Sequence, residues 1–421
     1  MINDVQKADR AFIIISDIEM SCGGEVDDFV HTRYLCEFIS QYNQGPYQDK
    51  EVDIVFNGDT FDFLKTQIDH ETPHLIDEDM AMEKLHQIET AHKEFFETLK
   101  EFVKHKNAAR RIHFIVGNHD QELLFPRVQD RIVELCGNSG QILFPGFEMR
   151  VGDLLIEHGS QKDQLFEVPV DKPFLNYNGK KILNLPWTSV TIINTLIPYR
   201  SEFHALDRIK PKMEVFERVP ELKEWMLGRL WNYWTNDYLK DYVRSSDPLK
   251  KISWSMIKEA FKRSLFFNPD VEVGEAFAKK LEREEHVKVT VVGHVHDPKI
   301  FCNGNRKVIQ AGCFRDEFML ENGGSKYVPI AKSYTEILFK NNKTIASNLI
   351  EVSGPEIESW RYPLPLEQYR EVLKEKLRIE KAVKENKARP IVEDSMPGPR
   401  AIENPSVLMK ATKKYQEAFK N

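Results

Sequence analysis

The chain has 421 residues, of which 41% are hydrophobic and 30% charged, a balance that is typical of globular proteins and excludes wholesale disorder. The formal net charge of −7 argues against a general binder of nucleic acids or anionic membranes. The five cysteines are dispersed without a CxxC pair, which argues against a disulfide framework and against a structural zinc site.

The first 165 residues alternate strand-like and helix-like patterns. Short runs rich in β-branched residues at 12–15, 52–56 and 112–116 are typical of strands that are buried on both faces. Apolar residues at three- and four-residue spacings over 81–102 predict a helix between the second and third strands. This rhythm predicts an α/β fold with a parallel sheet region. Further strands are predicted at 141–144, 147–151 and 154–157.

The pattern changes over residues 166–286, where strand signals are few and five of the six tryptophans occur. We interpret this segment as an aromatic-rich helical insertion into a discontinuous core that comprises residues 1–165 and 287–352. Residues 353–421 are predicted to form a charged C-terminal tail with an amphipathic helix over 366–389. In the second part of the core, strands are predicted at 287–292, 307–311, 334–339 and 344–350.

Side chains of metal-ligating types follow five of the predicted strands, at the point where each strand ends. These residues are Asp17 and Glu19, Asp59 and Asp62, Asn118 with His119 and Asp120, His158, and finally His294 and His296. Because the carboxyl ends of strands in an α/β sheet border the ligand crevice, we expect these side chains to converge. Carboxylate, amide and imidazole ligands without thiolate favour divalent metal ions such as Mn, Fe, Zn or Co.

The ordered set D-x-E, G-D-x-x-D, G-N-H-D, H-G and G-H-x-H resembles the calcineurin-like metallophosphoesterase superfamily. The resemblance covers residues 11–165 and 287–350. It implies a four-layer α-β-β-α sandwich of two mixed sheets flanked by helices, to which this chain adds the large helical insertion. One position departs from the pattern, since Glu19 stands where the family usually has histidine.

The resemblance also implies a dinuclear metal centre in which Asp59 bridges two divalent ions. One ion would be held by Asp17, Glu19 and His296, and the other by Asn118, His158 and His294. His119 would act on the substrate without binding metal, and Asp120 would orient its ring. Because Glu19 makes the site of Asp17, Glu19 and His296 rich in oxygen, we expect Mn to be the preferred metal, with Fe, Zn or Mg as alternatives.

The activity that this resemblance implies is hydrolysis of a phosphate ester or pyrophosphate bond by attack of a metal-bridging hydroxide. His119 would stabilise the transition state or protonate the leaving oxygen. Segments 158–163 and 308–314 look most like the UDP-2,3-diacylglucosamine pyrophosphatase-like branch. A nucleotide-linked or lipid-linked pyrophosphate is therefore one expected kind of substrate.

Two other functions stay open at this point. One is a nucleic-acid phosphodiesterase of the same fold, against which the acidic net charge argues mildly. The other is a non-catalytic scaffold that binds partners, against which the presence of His119, His294 and His296 argues. The insertion has two interpretations as well: a lid over the metal site that selects the substrate, or a separate packing or dimerisation domain.

Single residues can also be interpreted as structural rather than functional. Asp62 either orients the site or caps the following helix, with equal weight, and we expect His113 on its strand to be structural. Six other histidines lack ligand spacing and are expected to be solvated: His31, His70, His74, His86, His92 and His105.

Two features bear on location. The dispersed cysteines favour a reducing compartment. The stretch that comes nearest to a membrane span, 185–199, is interrupted by Pro186 and Pro198 and is too short to cross a bilayer. The sequence therefore predicts a cytoplasmic protein without a transmembrane segment.

Overall fold

The structure is a computed structural model that describes residues 2–238, 247–250, 256, 286–321, 324 and 326–387. The chain divides into two compact units, residues 1–373 and 374–421. Within the described residues the helices are α1 (Ile2–Lys7), α2 (Thr32–Ser40), α3 (Glu78–Ala91), α4 (Lys93–Val103), α5 (Pro126–Leu135), α6 (Trp187–Thr195), α7 (Arg200–Phe203), α8 (Lys212–Arg218), α9 (Pro220–Asn232) and α10 (Leu366–Lys387).

Most of the described strands lie before α6 or after α9 in the chain, and one short strand lies between α7 and α8. They are β1 (Arg10–Ile15), β2 (Glu51–Asn57), β3 (Arg110–Ile115), β4 (Ile142–Gly146), β5 (Glu148–Val151), β6 (Leu154–Glu157), β7 (Phe174–Tyr177), β8 (Lys180–Leu183), β9 (Ile209–Lys210), β10 (Val289–Val292), β11 (Lys299–Asn303), β12 (Arg306–Gln310), β13 (Phe318–Glu321), β14 (Lys326–Pro329), β15 (Lys332–Lys340) and β16 (Lys343–Val352).

Two mixed sheets form the core of the first unit. The first sheet has the order β16-β15-β1-β2-β3-β4, in which β1 to β4 run parallel, β15 is antiparallel to β1, and β16 is antiparallel to β15. The second has the order β11-β12-β10-β6-β5, with β12, β10 and β6 parallel to one another. Side chains from both sheets share one buried cluster, so the sheets pack face to face. The structure confirms the predicted α/β class.

Strand β1 shows why its apolar run is continuous. Phe12 and Ile14 point into the cluster between the sheets, whereas Ile13 and Ile15 point to the opposite face. That opposite face is covered by α2, α3, α4 and α5, whose apolar residues join the same cluster as Ile13 and Ile15. All four side chains are fully buried, as expected for a strand between two layers.

The helix predicted over 81–102 is two helices, α3 and α4, because the backbone breaks at His92 (φ −118°, ψ 36°). His92 is only 2% exposed, so the prediction that it is solvated is wrong. Its Nε2 lies 3.0 Å from Asp27 Oδ2 and its Nδ1 lies 2.7 Å from Thr32 Oγ1. These two polar contacts hold the loop after β1 against the helical layer and require the break. His31 is also paired, at 3.3 Å from Asp316.

The segment 166–286 is less purely helical than predicted. It contains α6 to α9, but β7 and β8 form an antiparallel hairpin, and β9 pairs in parallel with β13 in a three-stranded sheet. These strands are only two to four residues long, too short to show an alternating pattern. The parts of this segment at 239–246, 251–255 and 257–285 lie outside the described residues.

The predicted C-terminal helix is confirmed as α10, which ends at Lys387, and the rest of the predicted tail lies outside the described residues. In the second unit, Arg378 pairs with Glu375 one turn earlier on α10. None of the described helices is both long and apolar enough to cross a membrane.

Candidate metal centre

The five motif-bearing strand ends meet at one edge of the packed sheets. The backbone N–H of Glu19 donates to Asp59 O at 2.9 Å, and that of His119 donates to the side chain of Asp59 at 2.8 Å. On the other sheet, Gly293 N donates to His158 O at 2.7 Å, and His294 N donates to Asp17 Oδ2 at 3.1 Å. The predicted convergence of the loops is therefore present, and backbone hydrogen bonds hold it.

Glycines allow the chain to approach this edge closely. A Cβ at Gly117 would lie 2.1 Å from Asp59 Oδ1, and one at Gly293 would lie 1.8 Å from Ser16 Oγ. Four site residues other than glycine adopt the left-handed conformation, at φ values between 49° and 66°: Asp17, Glu19, Asp59 and His294. Such backbone strain in residues with side chains persists where the surroundings enforce it, typically at functional sites.

The first cluster consists of Asp59, Asn118, His158 and His294. His158 Nε2 lies 3.2 Å from Asp59 Oδ2 and 3.2 Å from Asn118 Oδ1, and one ligand atom each of Asp59, His158 and His294 lie within 4.8 Å of one another. His158 Nδ1 lies 2.9 Å from the carbonyl oxygen of Asn57, which accepts only from a protonated nitrogen. With Nδ1 protonated, Nε2 is the ring atom that faces the cluster, and it would bind a metal ion in place of its own proton.

A second group lies beside the first and is formed by Asp17 and His296. Asp17 is fully buried, and its Oδ1 has no hydrogen-bond partner among the described residues; the ring nitrogens of His296 and His158 lie at 3.5 and 4.0 Å. A buried carboxylate oxygen left without a partner is costly unless a cation takes it. His296 Nδ1 lies 2.7 Å from Glu317 Oε1, which turns the other ring nitrogen toward Asp17. These residues fit a divalent metal ion.

Glu19 lies near the second group, with Oε1 at 3.7 Å from His296 Nε2, but its carboxylate is engaged elsewhere. Arg315 Nη1 lies 3.0 and 2.9 Å from its two oxygens, and Lys65 Nζ lies 3.0 Å from Oε2. Burial favours the neutral carboxyl, but the charges of Arg315 and Lys65 outweigh it and lower the pKa of Glu19. Ligation of metal by Glu19 stays a prediction.

The carboxylate that contacts the ring of His119 is Asp62, whose Oδ1 lies 3.1 Å from Nδ1. Asp62 Oδ1 also accepts from Lys65 N at 2.9 Å, so it both orients the site and fixes the following turn. Asp120, predicted to orient His119, instead accepts from Gly117 N at 2.6 Å and from Thr60 N at 2.8 Å. Asp120 therefore joins the loops that carry Thr60 and Gly117 through these two hydrogen bonds.

Burial and neighbouring charges together shift the pKa values of two groups of the site. Burial lowers the pKa of His119, but the carboxylates of Asp59 and Asp62 outweigh it and raise the pKa to about 10. Burial, with the charge of Asp59 added, raises the pKa of Asp120 to about 7. Away from the site, His113 is buried and its Nε2 lies 2.8 Å from Asp53 Oδ1, which confirms its structural role.

Lys65, Arg315 and Glu317 are residues of the site that the sequence reasoning missed. Arg315 and Glu317 follow β12, and their charged run after a strand end was the available signal. The signal for Lys65 was weaker, and consisted only of its position three residues after Asp62 in the same loop.

Two segments of the insertion reach the site. The ring of Phe166 lies 5.0 Å from that of His294 at 69°, an edge-to-face contact, and Asp207 Oδ2 lies 2.9 Å from Arg315 Nη1. Phe166 packs against a buried aromatic cluster that includes Trp187 and Tyr233. An apolar aromatic wall therefore begins directly beside a candidate metal ligand.

No family model matches the chain, and no curated protein matches it. Solved structures do match. One is a dimetal phosphatase from Danio rerio, at 13% identity and a TM-score of 0.33, over 82% of this chain and 100% of that one. Another is Vps29 from Entamoeba histolytica complexed with Zn²⁺, at 9% identity and a TM-score of 0.26, over 81% and 98%.

A third is a putative 5'-nucleotidase from Staphylococcus aureus in complex with alpha-ketoglutarate, at 12% identity and a TM-score of 0.29, over 87% of this chain and 58% of that one. At such low identities and TM-scores, these likenesses carry no weight in assigning a function, which depends on the residues of the site.

Proposed function

We propose that the protein is a metal-dependent phosphoesterase that hydrolyses a phosphate ester or pyrophosphate bond. The observation that carries the proposal is the meeting of Asp17, Asp59, Asn118, His158 and His294 at the joined edge of the two sheets, with Asp17 Oδ1 buried and without a hydrogen-bond partner among the described residues. No single structural role requires a buried carboxylate, amide and imidazole set on five separate loops.

The residues of the first cluster would hold a divalent metal ion, with Asp17 beside it. Bound there, the ion supplies a Lewis acid that neutralises phosphate charge and activates water for attack on phosphorus. Asn57 fixes the tautomer of His158 through its carbonyl oxygen, and Gly117 keeps space open around Asp59. Manganese as the preferred metal is part of this proposal.

His119 is placed to act on the leaving group. Its side chain is 16% exposed whereas that of its partner Asp62 is 1% exposed, so the ring borders the open side of the site with its Nδ1 held from behind. Its Nε2 is therefore the ring atom directed away from Asp62. Proton donation to the leaving oxygen from this atom is the role that we assign to it.

The insertion would select the substrate. Phe166 contacts the ring of a candidate ligand and is held from behind by a buried aromatic cluster, so a substrate whose phosphate reaches His294 would place its next group against the ring of Phe166. A lipid tail or a base would suit such a surface, in line with a lipid-linked or nucleotide-linked pyrophosphate. A cytoplasmic location, predicted from the cysteines, belongs to the same proposal.

The experiment is a screen of the purified protein with Mn²⁺ against phosphomonoesters, phosphodiesters, nucleotide pyrophosphates and single-stranded nucleic acids, with Asp59→Asn as the matched inactive control. We expect turnover of at least one small-molecule class by the native protein and none by the variant. A metal-loaded protein that turns over no substrate of any class would favour the scaffold instead. Cleavage confined to nucleic acids would favour the phosphodiesterase.

A further inference from the structure

The position that departs from the metal-binding pattern is satisfied without a metal ion. Glu19 is 2% exposed, and both of its oxygens accept charge-assisted bonds, from Arg315 Nη1 at 3.0 and 2.9 Å and from Lys65 Nζ at 3.0 Å. Asp17, two residues earlier, has the opposite status, because its Oδ1 is buried without a hydrogen-bond partner in the described part of the chain. The Glu19 carboxylate is therefore neutralised by a lysine and an arginine, whereas the nearest basic groups to Asp17 Oδ1 are the rings of His296 and His158, at 3.5 and 4.0 Å.

Both cations are fixed by further carboxylates, so neither is free to turn away from Glu19. Arg315 is 3% exposed and is also bonded to Glu317 at 3.1 Å and to Asp207 at 2.9 Å. Lys65 contacts Asp28, and its Nζ lies 3.1 Å from Asp62 Oδ2. Removing either cation from Glu19 would disrupt an ion-pair network that joins the loops after β1, β2 and β12 to the insertion.

A divalent ion on the Glu19 carboxylate would meet these two charges at short range. A metal–oxygen bond of about 2.2 Å and the observed 3 Å contacts put the ion within roughly 5 Å of Arg315 and Lys65. Like charges at that distance in a buried site repel strongly. The first cluster has no such cation: among the described residues, Asp59, Asn118, His158 and His294 face one another without a lysine or arginine in contact with them.

We propose that Lys65 and Arg315 take the place of a second metal ion beside Glu19, so that the chain binds one divalent ion tightly, at Asp59, Asn118, His158 and His294. This inference rests on the proposed function, since it presumes that the first cluster binds metal. It assigns Lys65 and Arg315 as the residues that set the number of metal ions.

The test counts ions without reference to activity. Metal-free protein is equilibrated with excess MnCl₂, passed through a desalting column and analysed for manganese per chain, and the same sample is examined by electron paramagnetic resonance. The native protein is expected to retain one ion per chain, with the hyperfine pattern of an isolated Mn²⁺. The double variant Lys65→Met/Arg315→Met is expected to retain two, with the spectrum of a coupled pair.

The matched control is Lys212→Met, which removes a lysine that pairs with Asp207 at 2.9 Å in the same network. It should retain one ion. Circular dichroism establishes that each variant is folded. If the double variant does not fold, the single variant Lys65→Met replaces it. Lys65→Met is expected to bind the second ion with at least tenfold higher affinity than the native protein.

Two coupled ions in the native protein would overturn the inference and leave the proposed function intact. One ion in the native protein and still one in the folded variants would also overturn it, because Lys65 and Arg315 would then not set the number. No retained metal in any form would contradict the proposed function itself.

Discussion

At the scale of single residues, the site depends on the absence of side chains as much as on their presence. Gly117 faces Asp59, and a Cβ there would lie 2.1 Å from Oδ1 and 2.5 Å from the backbone nitrogen of Asp59. Since Asp59 also accepts from His119 N, it has little room to move away. The glycine of the G-N-H-D motif is therefore required by contact rather than by its own backbone conformation.

We expect Gly117→Ala to lower Mn²⁺ affinity by about tenfold or more, because the added methyl group displaces the Asp59 carboxylate. The matched control is Gly140→Ala, where a Cβ meets no atom within 4 Å. Titration calorimetry with MnCl₂ measures both variants. Native affinity in a folded Gly117→Ala protein would show that Asp59 does not bind the ion.

His119→Ala should leave Mn²⁺ binding intact and slow turnover by about 10²- to 10⁴-fold on substrates with poor leaving groups, because the variant cannot protonate the leaving oxygen. The loss should shrink for nitrophenyl esters, whose leaving group needs no proton. Steady-state rates on an alkyl ester and a nitrophenyl ester of the same phosphate make the comparison. An equal loss on both, or a loss of bound metal, would assign His119 another role.

At the scale of elements, the strand ends were predictable and their cross-connections were not. The buried runs of β1, β2 and β6 and the polar residues that follow them are local patterns, so sequence sufficed to predict that Asp17, Asp59 and His158 would converge. The partner of Glu19 is Arg315, 296 positions away, and no local pattern reports such a contact.

The partner of His119 is a different case. Asp120 is adjacent to His119 in the sequence and Asp62 is 57 positions away, but the backbone path of each loop decides which carboxylate reaches the ring. Sequence spacing favoured Asp120, the nearer residue. The structure places Asp120 on backbone N–H groups instead, so local proximity was the wrong criterion there.

The insertion is the element whose role is easiest to test by substitution. Phe166→Ala removes the ring beside His294, so we expect the specificity constant for substrates with a large apolar or aromatic group to fall by about tenfold, with little change for small phosphomonoesters. Trp231→Ala, on α9, is the matched control, because Trp231 is 69% exposed. An equal change in the specificity constant for bulky and small substrates would show that Phe166 of the insertion does not select the substrate.

At the scale of the whole molecule, a buried titratable group makes the stability of the fold sensitive to pH. His204 belongs to the first unit and lies near Arg208 and Arg361. Burial and then the charge of Arg208 lower its pKa to about 4. The folded state therefore holds His204 neutral, whereas the unfolded chain protonates it near pH 6.5.

Between pH 6.5 and about 4 the unfolded state binds more protons at this residue than the folded state, so the free energy of unfolding falls as the pH falls. His204→Gln should remove that contribution, which amounts to at most about 1.4 kcal/mol per pH unit. Urea denaturation of the metal-free proteins at pH 7 and pH 5 makes the comparison. An identical fall in the free energy of unfolding between pH 7 and pH 5 in the native and variant proteins would show that His204 does not take up a proton on unfolding.

The central claim is that phosphoester hydrolysis depends on a divalent ion held by Asp59, Asn118, His158 and His294. The most direct measurement follows the hydrolysis rate and the bound manganese in the same samples as MnCl₂ is added back to chelator-treated protein. We expect no turnover without metal, a rate that rises in proportion to bound Mn²⁺, and neither binding nor turnover in Asp59→Asn. Full hydrolysis by protein shown to contain no metal would contradict the account.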